Sequence, residues 1–133
     1  MKKREQAFLF LRKAAQDEIL LDEVIDNPRI ADEIIGFHCQ QAAEKIIKAL
    51  LSTRGVRFRK THDLAELGLL LKNVGIPLPE HLRDLDVLTP FGVVYRYEDY
   101  AGEVSLDRQR AREMIRALRS WVEDQLSTTA AEE

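Results

Sequence analysis

The sequence predicts an all-α protein, a helical bundle in a single domain, and three observations lead there. Apolar residues recur at steps of three and four over most of the chain, the mark of amphipathic helices. The periodic segments are divided by short stretches that hold proline or glycine, at Asn27-Pro28, Arg54-Gly55, Asn73 to Pro79 and Pro90 to Gly92. The chain of 133 residues fits one domain with one core.

The first helix reads from Arg4 to about Ile25. Ala7, Phe8, Leu11, Ala15 and Ile19 trace its apolar stripe, Phe10, Ala14 and Leu21 widen it, and Asp17, Glu18, Asp22 and Glu23 fall on the side expected to face water. Proline suits the first turn of a helix and is disfavoured inside one, so the second helix is expected to start at about Pro28. The joint is short, which predicts antiparallel neighbours.

This second helix, Pro28 to about Ser52, is the longest periodic segment, about 37 Å at 1.5 Å per residue. Ile35, Cys39, Ala42, Ile46, Ala49 and Leu50 form a seam, with His38, Gln41, Lys45 and Lys48 on a flank beside it. Ile30, Ile34 and Phe37 add apolar surface on that flank, so the helix is expected at the centre of the bundle. Gly36, costly in mid-helix by about 1 kcal/mol, marks a close approach by another backbone.

Gly55 can end this helix in the left-handed conformation. The polar loop Arg57-Phe58-Arg59-Lys60-Thr61-His62-Asp63 follows; Thr61 or Asp63 can cap a brief third helix bearing Leu64, Leu67, Leu70 and Leu71, and Asp63 with Glu66 fits a capping box. Pro79 suits the first turn of a fourth helix carrying Leu82, Leu85 and Leu88, which a kink or stop near Pro90 should end. Val93 to Tyr100 reads as an extended loop, since a lone short strand has no partner. Ser105 can cap the last helix, Leu106 to about Leu126, with Ala111, Met114, Leu118, Trp121 and Val122 at helical period. The domain is thus expected over residues 1–126, with a frayed tail over 127–133.

Composition excludes several functions. Hydrophobic residues at 45% and charged residues at 32% are ordinary for a globular protein, and no apolar run nears the ~20 residues that span a bilayer. The N-terminal stretch has no secretory apolar core, and one cysteine cannot form an internal disulfide, so a cytoplasmic location is expected. Cys39 belongs to the core by its place on the seam. A net charge of −3 gives no global attraction to nucleic acid, so any polyanion site must be local. No Cys/His set could hold a metal, and there is no glycine-rich phosphate loop, so no cofactor is expected.

Three local sets remain as phosphate or nucleotide candidates. Arg96 with Tyr95, Tyr97 and Tyr100 offers a charged fork and rings for base stacking, or else a loop pinned by its tyrosines. His38, Gln41 and Lys45 share one helix flank at steps of three and four and could present donors, or serve as satisfied bundle residues. Lys60 and His62 form a basic loop with the nearby arginines, which could equally be only solvated. Arg108, Arg112, Arg116 and Arg119 line the last helix as a further stripe that Glu113, Glu123 and Asp124 would balance.

Four stretches in this order resemble the HEPN family of small all-α domains: Phe37-His38 with Gln40-Gln41-Ala42-Ala43-Glu44-Lys45, then Lys60-Thr61-His62-Asp63-Leu64, then Leu78-Pro79, then Arg96-Tyr97. The resemblance implies an up-and-down four-helix bundle with a short additional helix, similar to the substrate-binding domain of some nucleotidyltransferases. It also implies a homodimer, and a separately encoded minimal nucleotidyltransferase as partner in a toxin–antitoxin type module. Many such proteins are metal-independent ribonucleases with an arginine followed, after four to six residues, by a histidine. Arg96 matches the arginine, but no histidine follows it, the three present being His38, His62 and His81. Without that titrating base the chain is expected to bind a nucleotide or RNA phosphate rather than to cut RNA. The alternatives are a ribonuclease toxin with altered residues and a dimeric interaction scaffold.

Overall fold

Ala7, Ala14 and Leu21 stand seven residues apart, two helical turns each, and all three are buried on one face of helix α1, Lys2–Val24. The computed structural model describes residues 2–93 and 105–132, and these are all-helical, with no strand among them. Phe8 and Ile19, which the apolar stripe predicts to be inside, are more than half exposed. Asp17 and Glu18, predicted to face water, are buried at 8% and 7% exposure. Both corrections have one cause: the helix is rotated so that its carboxylates meet cations on other helices.

Helix α2, Asp32–Thr53, touches every other described helix and is the centre of the bundle. Ile35, Cys39, Ala42, Ile46, Ala49 and Leu50 are all fully buried along it. It begins at Asp32 rather than at Pro28. The Arg108 guanidinium accounts for the difference: it donates to the carbonyls of Ile25, Asn27 and Ile30 and to the Asp32 carboxylate, so residues 26–31 form a turn held from outside. The α1 and α2 helices are antiparallel, since Lys3 Nζ would lie 2.7 Å from a Cβ built on Gly55, just past the end of α2. Gly55 has the left-handed φ of 68° expected of it.

Gly36 does mark a close approach, but of a side chain. A Cβ there would stand 2.2 Å from Cδ1 of the buried Phe91 ring. Gly36→Ala is therefore expected to lower stability by about 1–3 kcal/mol through overpacking, less up to about 1 kcal/mol gained in helix propensity. Thermal unfolding measures it. Phe91→Leu in the same chain should restore part of the loss, and no interaction between the two substitutions would refute the contact.

After α2 the chain turns back along it. Lys48 Nζ lies over the Phe58 ring, and further on the His62 ring meets Glu44, one turn nearer the start of α2. Asp63 caps α3, Leu64–Asn73, by accepting from the amides of Ala65 and Glu66. The capping box is only half made, because the Glu66 carboxylate turns to Arg59 instead. Glu80–Leu88 is a 3₁₀ helix, which explains Leu82, Leu85 and Leu88: steps of three line up at three residues per turn, and all three are buried. Pro90 then sits in the first turn of a short α4, Thr89–Gly92, rather than at a kink.

The last helix, α5, spans Arg108–Glu132. Asp107, not Ser105, supplies the side-chain cap, at 3.1 Å from the Arg110 amide. The helix continues past Leu126 because no glycine or proline follows to stop it, and Thr128 Oγ1 bonds back to the Asp124 carbonyl. It runs parallel to α2, with Arg108 at Asp32 and the Gln125 carbonyl near Arg54. Its arginine stripe is not balanced mainly from its own helix, and only at the exposed Arg116 does it face solvent. Arg112 and Arg116 reach Asp22, Arg112 and Arg119 reach Glu18, and together they tie α5 to α1.

Candidate functional site

Gln40, Glu44 and Lys48 recur one turn apart on α2, so their side chains form a row, and the returning 54–63 segment covers that row. Glu44 is the centre. Its Oε1 accepts from Gln40 Nε2 at 3.0 Å and lies 2.7 Å from His62 Nδ1, while Oε2 accepts from Lys48 Nζ at 3.0 Å. The carboxylate is only 7% exposed. Burial pushes its pKa upward, but hydrogen bonds from Gln40, His62 and Lys48, with the Lys48 charge, outweigh that and hold it below the ordinary 4.5.

Gln40 locks this arrangement. Its Nε2 also donates to the His62 carbonyl at 2.9 Å, and its Oε1 accepts from Gln41 Nε2 at 2.7 Å. Gly92 leans on the same carboxamide, where any Cβ would come within 2.7 Å. Leu64 N donates to Thr89 Oγ1, so α4 and the start of α3 are joined beside it. The polar row of α2, the basic loop and the residues before position 94 thus meet at one place.

On the neighbouring flank Asp17 repeats the pattern from α1. Its Oδ1 lies 2.9 Å from His38 Nδ1 and its Oδ2 accepts from Lys45 Nζ at 2.7 Å. His38 and Lys45 are therefore turned toward α1, and Gln41 toward Gln40, so these three do not converge on one outward point. His62 is half exposed and Lys60 is exposed. Arg59 is engaged by Glu66 through three short bonds. Arg96, Tyr97 and Tyr100, with Tyr95, lie outside the described residues.

Cys39 is fully buried, and burial pushes its thiol up to about 12, which fits a packed core residue and not a nucleophile. Among the described residues no group of His, Cys, Asp and Glu could hold a metal. No helix of these residues is long and apolar enough to cross a membrane. Reading by residue type missed Gln40, Glu44 and Asp17 as site residues. The available signal for the first two was the spacing of Gln40, Glu44 and Lys48, a carboxylate one turn from an amide and a cation.

The model of the HEPN domain matches residues 9–125. The chain belongs to the HEPN family. No curated protein and no solved structure gives a match. Membership supports a function related to nucleotides or RNA in general. Two stretches that carry the HEPN resemblance, Phe37–Lys45 and Lys60–Leu64, are the ones that Glu44, Gln40 and His62 bind together. A third packs against α3, since Leu78 Cδ1 would lie 3.2 Å from a Cβ on Gly68.

Proposed function

We propose that this HEPN protein binds a nucleotide or RNA phosphate between the Lys60–His62 loop and Arg96, and works with a separately encoded minimal nucleotidyltransferase in a toxin–antitoxin type module. The observation that carries the reading is the meeting of Gly92 and the His62 carbonyl on one Gln40 carboxamide. Arg96 follows Gly92 by four residues in the chain. Lys60 is exposed, His62 is half exposed, the buried Glu44 and Lys48 charges cancel, and the Asp63 carboxylate is turned to the α3 amides, so Lys60 and His62 are the donors this loop offers an anion. Each bond from a charged donor to phosphate is worth about 1.5–3 kcal/mol.

Calorimetry with ATP, GTP and short single-stranded RNA tests it. Lys60→Ala and Arg96→Ala should each weaken binding, by tenfold or about 1.4 kcal/mol, and the double variant should fall short of the summed loss because both act on one ligand. Wild-type protein that binds none of the three retires the reading in favour of a dimeric scaffold. Metal-free cleavage of RNA that vanishes in Arg96→Ala would instead promote the ribonuclease alternative. The homodimer is tested by light scattering at micromolar concentration, where twice the 15.3 kDa chain mass is expected. Phe8 and Ile19, exposed on α1, and the aromatic types of the last third suit such an interface.

A further inference from the structure

Two carboxylates on this side of α2 are used alike, each giving one oxygen to a histidine Nδ1 and the other to a lysine Nζ. In both, the lysine already balances the carboxylate, so a charged imidazole would add a net positive charge. The two histidine side chains differ in exposure, 25% for His38 and 53% for His62. With Glu44 ionised, His62 Nδ1 must be the donor between them, which leaves Nε2 at the outer edge of the ring. Nε2 is then a bare acceptor when the ring is neutral and an N–H donor when it is charged.

Among the described residues around the ring none makes a hydrogen bond to that edge. From α2 come Glu44 and Lys48, bound to each other, and the uncharged Gln40. From α4, Thr89 accepts from the Leu64 amide and Gly92 meets the Gln40 carboxamide, and neither titrates. From its own loop come exposed Lys60 and Asp63, whose carboxylate caps α3. We propose that a phosphate binds at His62 Nε2 together with a proton, and that Glu44 is the positioning residue that sets the ring for it. This rests on the reading that the chain binds a phosphate-bearing ligand, and adds the atom that holds it and the dependence on pH. A neutral ring would turn a lone pair toward the anion, so binding draws one proton from solvent onto Nε2, and Lys60 lies two residues away to share the charge.

The test is calorimetry of ATP and of 5′-hydroxyl hexauridylate at about pH 6 and about pH 8, on either side of the range in which imidazoles change charge, each in two buffers of different ionisation heat. The phosphodiesters of the second ligand keep one charge throughout that range, and comparison with His62→Arg removes the proton that ATP itself contributes. Whichever ligand binds should bind about tenfold more tightly at the lower pH and take up part or all of one proton. His62→Arg should bind hexauridylate without the pH step and without the uptake, and ATP with only the step and the proton that ATP itself contributes, while Glu44→Gln, which keeps the size of the side chain, should lessen the part due to His62. Circular dichroism confirms that each variant is folded. Binding by wild type without the pH step, or a step of the same size in His62→Arg as in wild type, overturns the inference while leaving phosphate binding intact. Absence of binding by either ligand at both pH values removes the binding reading and this one with it. A full pH step in Glu44→Gln refutes the positioning role alone.

Discussion

Arg112→Ala is expected to destabilise the fold by about 3 kcal/mol, the lower end of the range for breaking a buried ion pair, which shifts the melting temperature by about 10 °C in a domain of this size. The Arg112 guanidinium is 7% exposed and forks onto Asp22, with Nε 2.7 Å from Oδ1 and Nη2 3.1 Å from Oδ2, while Nη1 lies 3.4 Å from Glu18 Oε1. The bond from Arg112, more than its charge, outweighs burial and holds the Asp22 carboxyl below its ordinary 3.8. Removing the arginine leaves buried Glu18 with Arg119 alone, at 2.7 Å, and that surviving contact is why the loss stays at the low end. Asp22 is half exposed and can turn to water. Urea unfolding at neutral pH reads the loss as a lower midpoint at unchanged slope. Arg112→Lys should recover only part of it, because an ammonium cannot make the two-pronged contact. A cycle of Arg112→Ala with Asp22→Ala that shows no coupling would mean that the arginine stabilises only through the packing of its stem.

Glu44→Leu is expected to cost about 3–5 kcal/mol, since it leaves Lys48 charged, unpaired and only 10% exposed, and takes the acceptor from Gln40 and from His62 at once. Glu44→Gln keeps the volume and one acceptor, and should cost about 1.5–3 kcal/mol, the worth of a bond between charged groups. The two variants differ from wild type in a pH-dependent way whose sign follows from the lowered pKa of Glu44. A carboxyl lowered in the folded state stabilises fully above its ordinary 4.5, and the contribution disappears as pH falls through the folded value. The gap in stability between wild type and Glu44→Gln should therefore be level above about pH 4.5 and close below it. A gap that stays constant down to acid unfolding would show that shape, not charge, explains the residue.

Some donors of the candidate site could be read by residue type, but its central Glu44, with Gln40 and Asp17, could not, nor could its wiring. His38, Gln41, Lys45, Lys60 and His62 are donors in helix or loop positions that periodicity locates. Their partners are 21 residues away for His38 and Asp17, 28 for Lys45 and Asp17, and 18 for His62 and Glu44. No local pattern carries such a pairing. The same distance in sequence hid the direction of the 54–63 segment, which lies along the side of α2 because Phe58 meets Lys48 and His62 meets Glu44.

The sequence by itself determined the helical class, the central place of α2, the seam from Ile35 to Leu50, the left-handed end at Gly55 and a cap for α3 at Thr61 or Asp63, which the structure places at Asp63. Each depends on period, or on the conformational preference of one residue, and both act over a few positions. Only the tertiary structure decided which charges go inside. Asp17, Glu18, Glu44, Lys48 and Arg112 fall on polar sides of their helices, yet all five are buried. A charge on a helix surface has the same local pattern whether it meets water or a countercharge. Which of the two it meets depends on another helix many residues away, and the cost of burial is offset only where that partner arrives in hydrogen-bonding geometry.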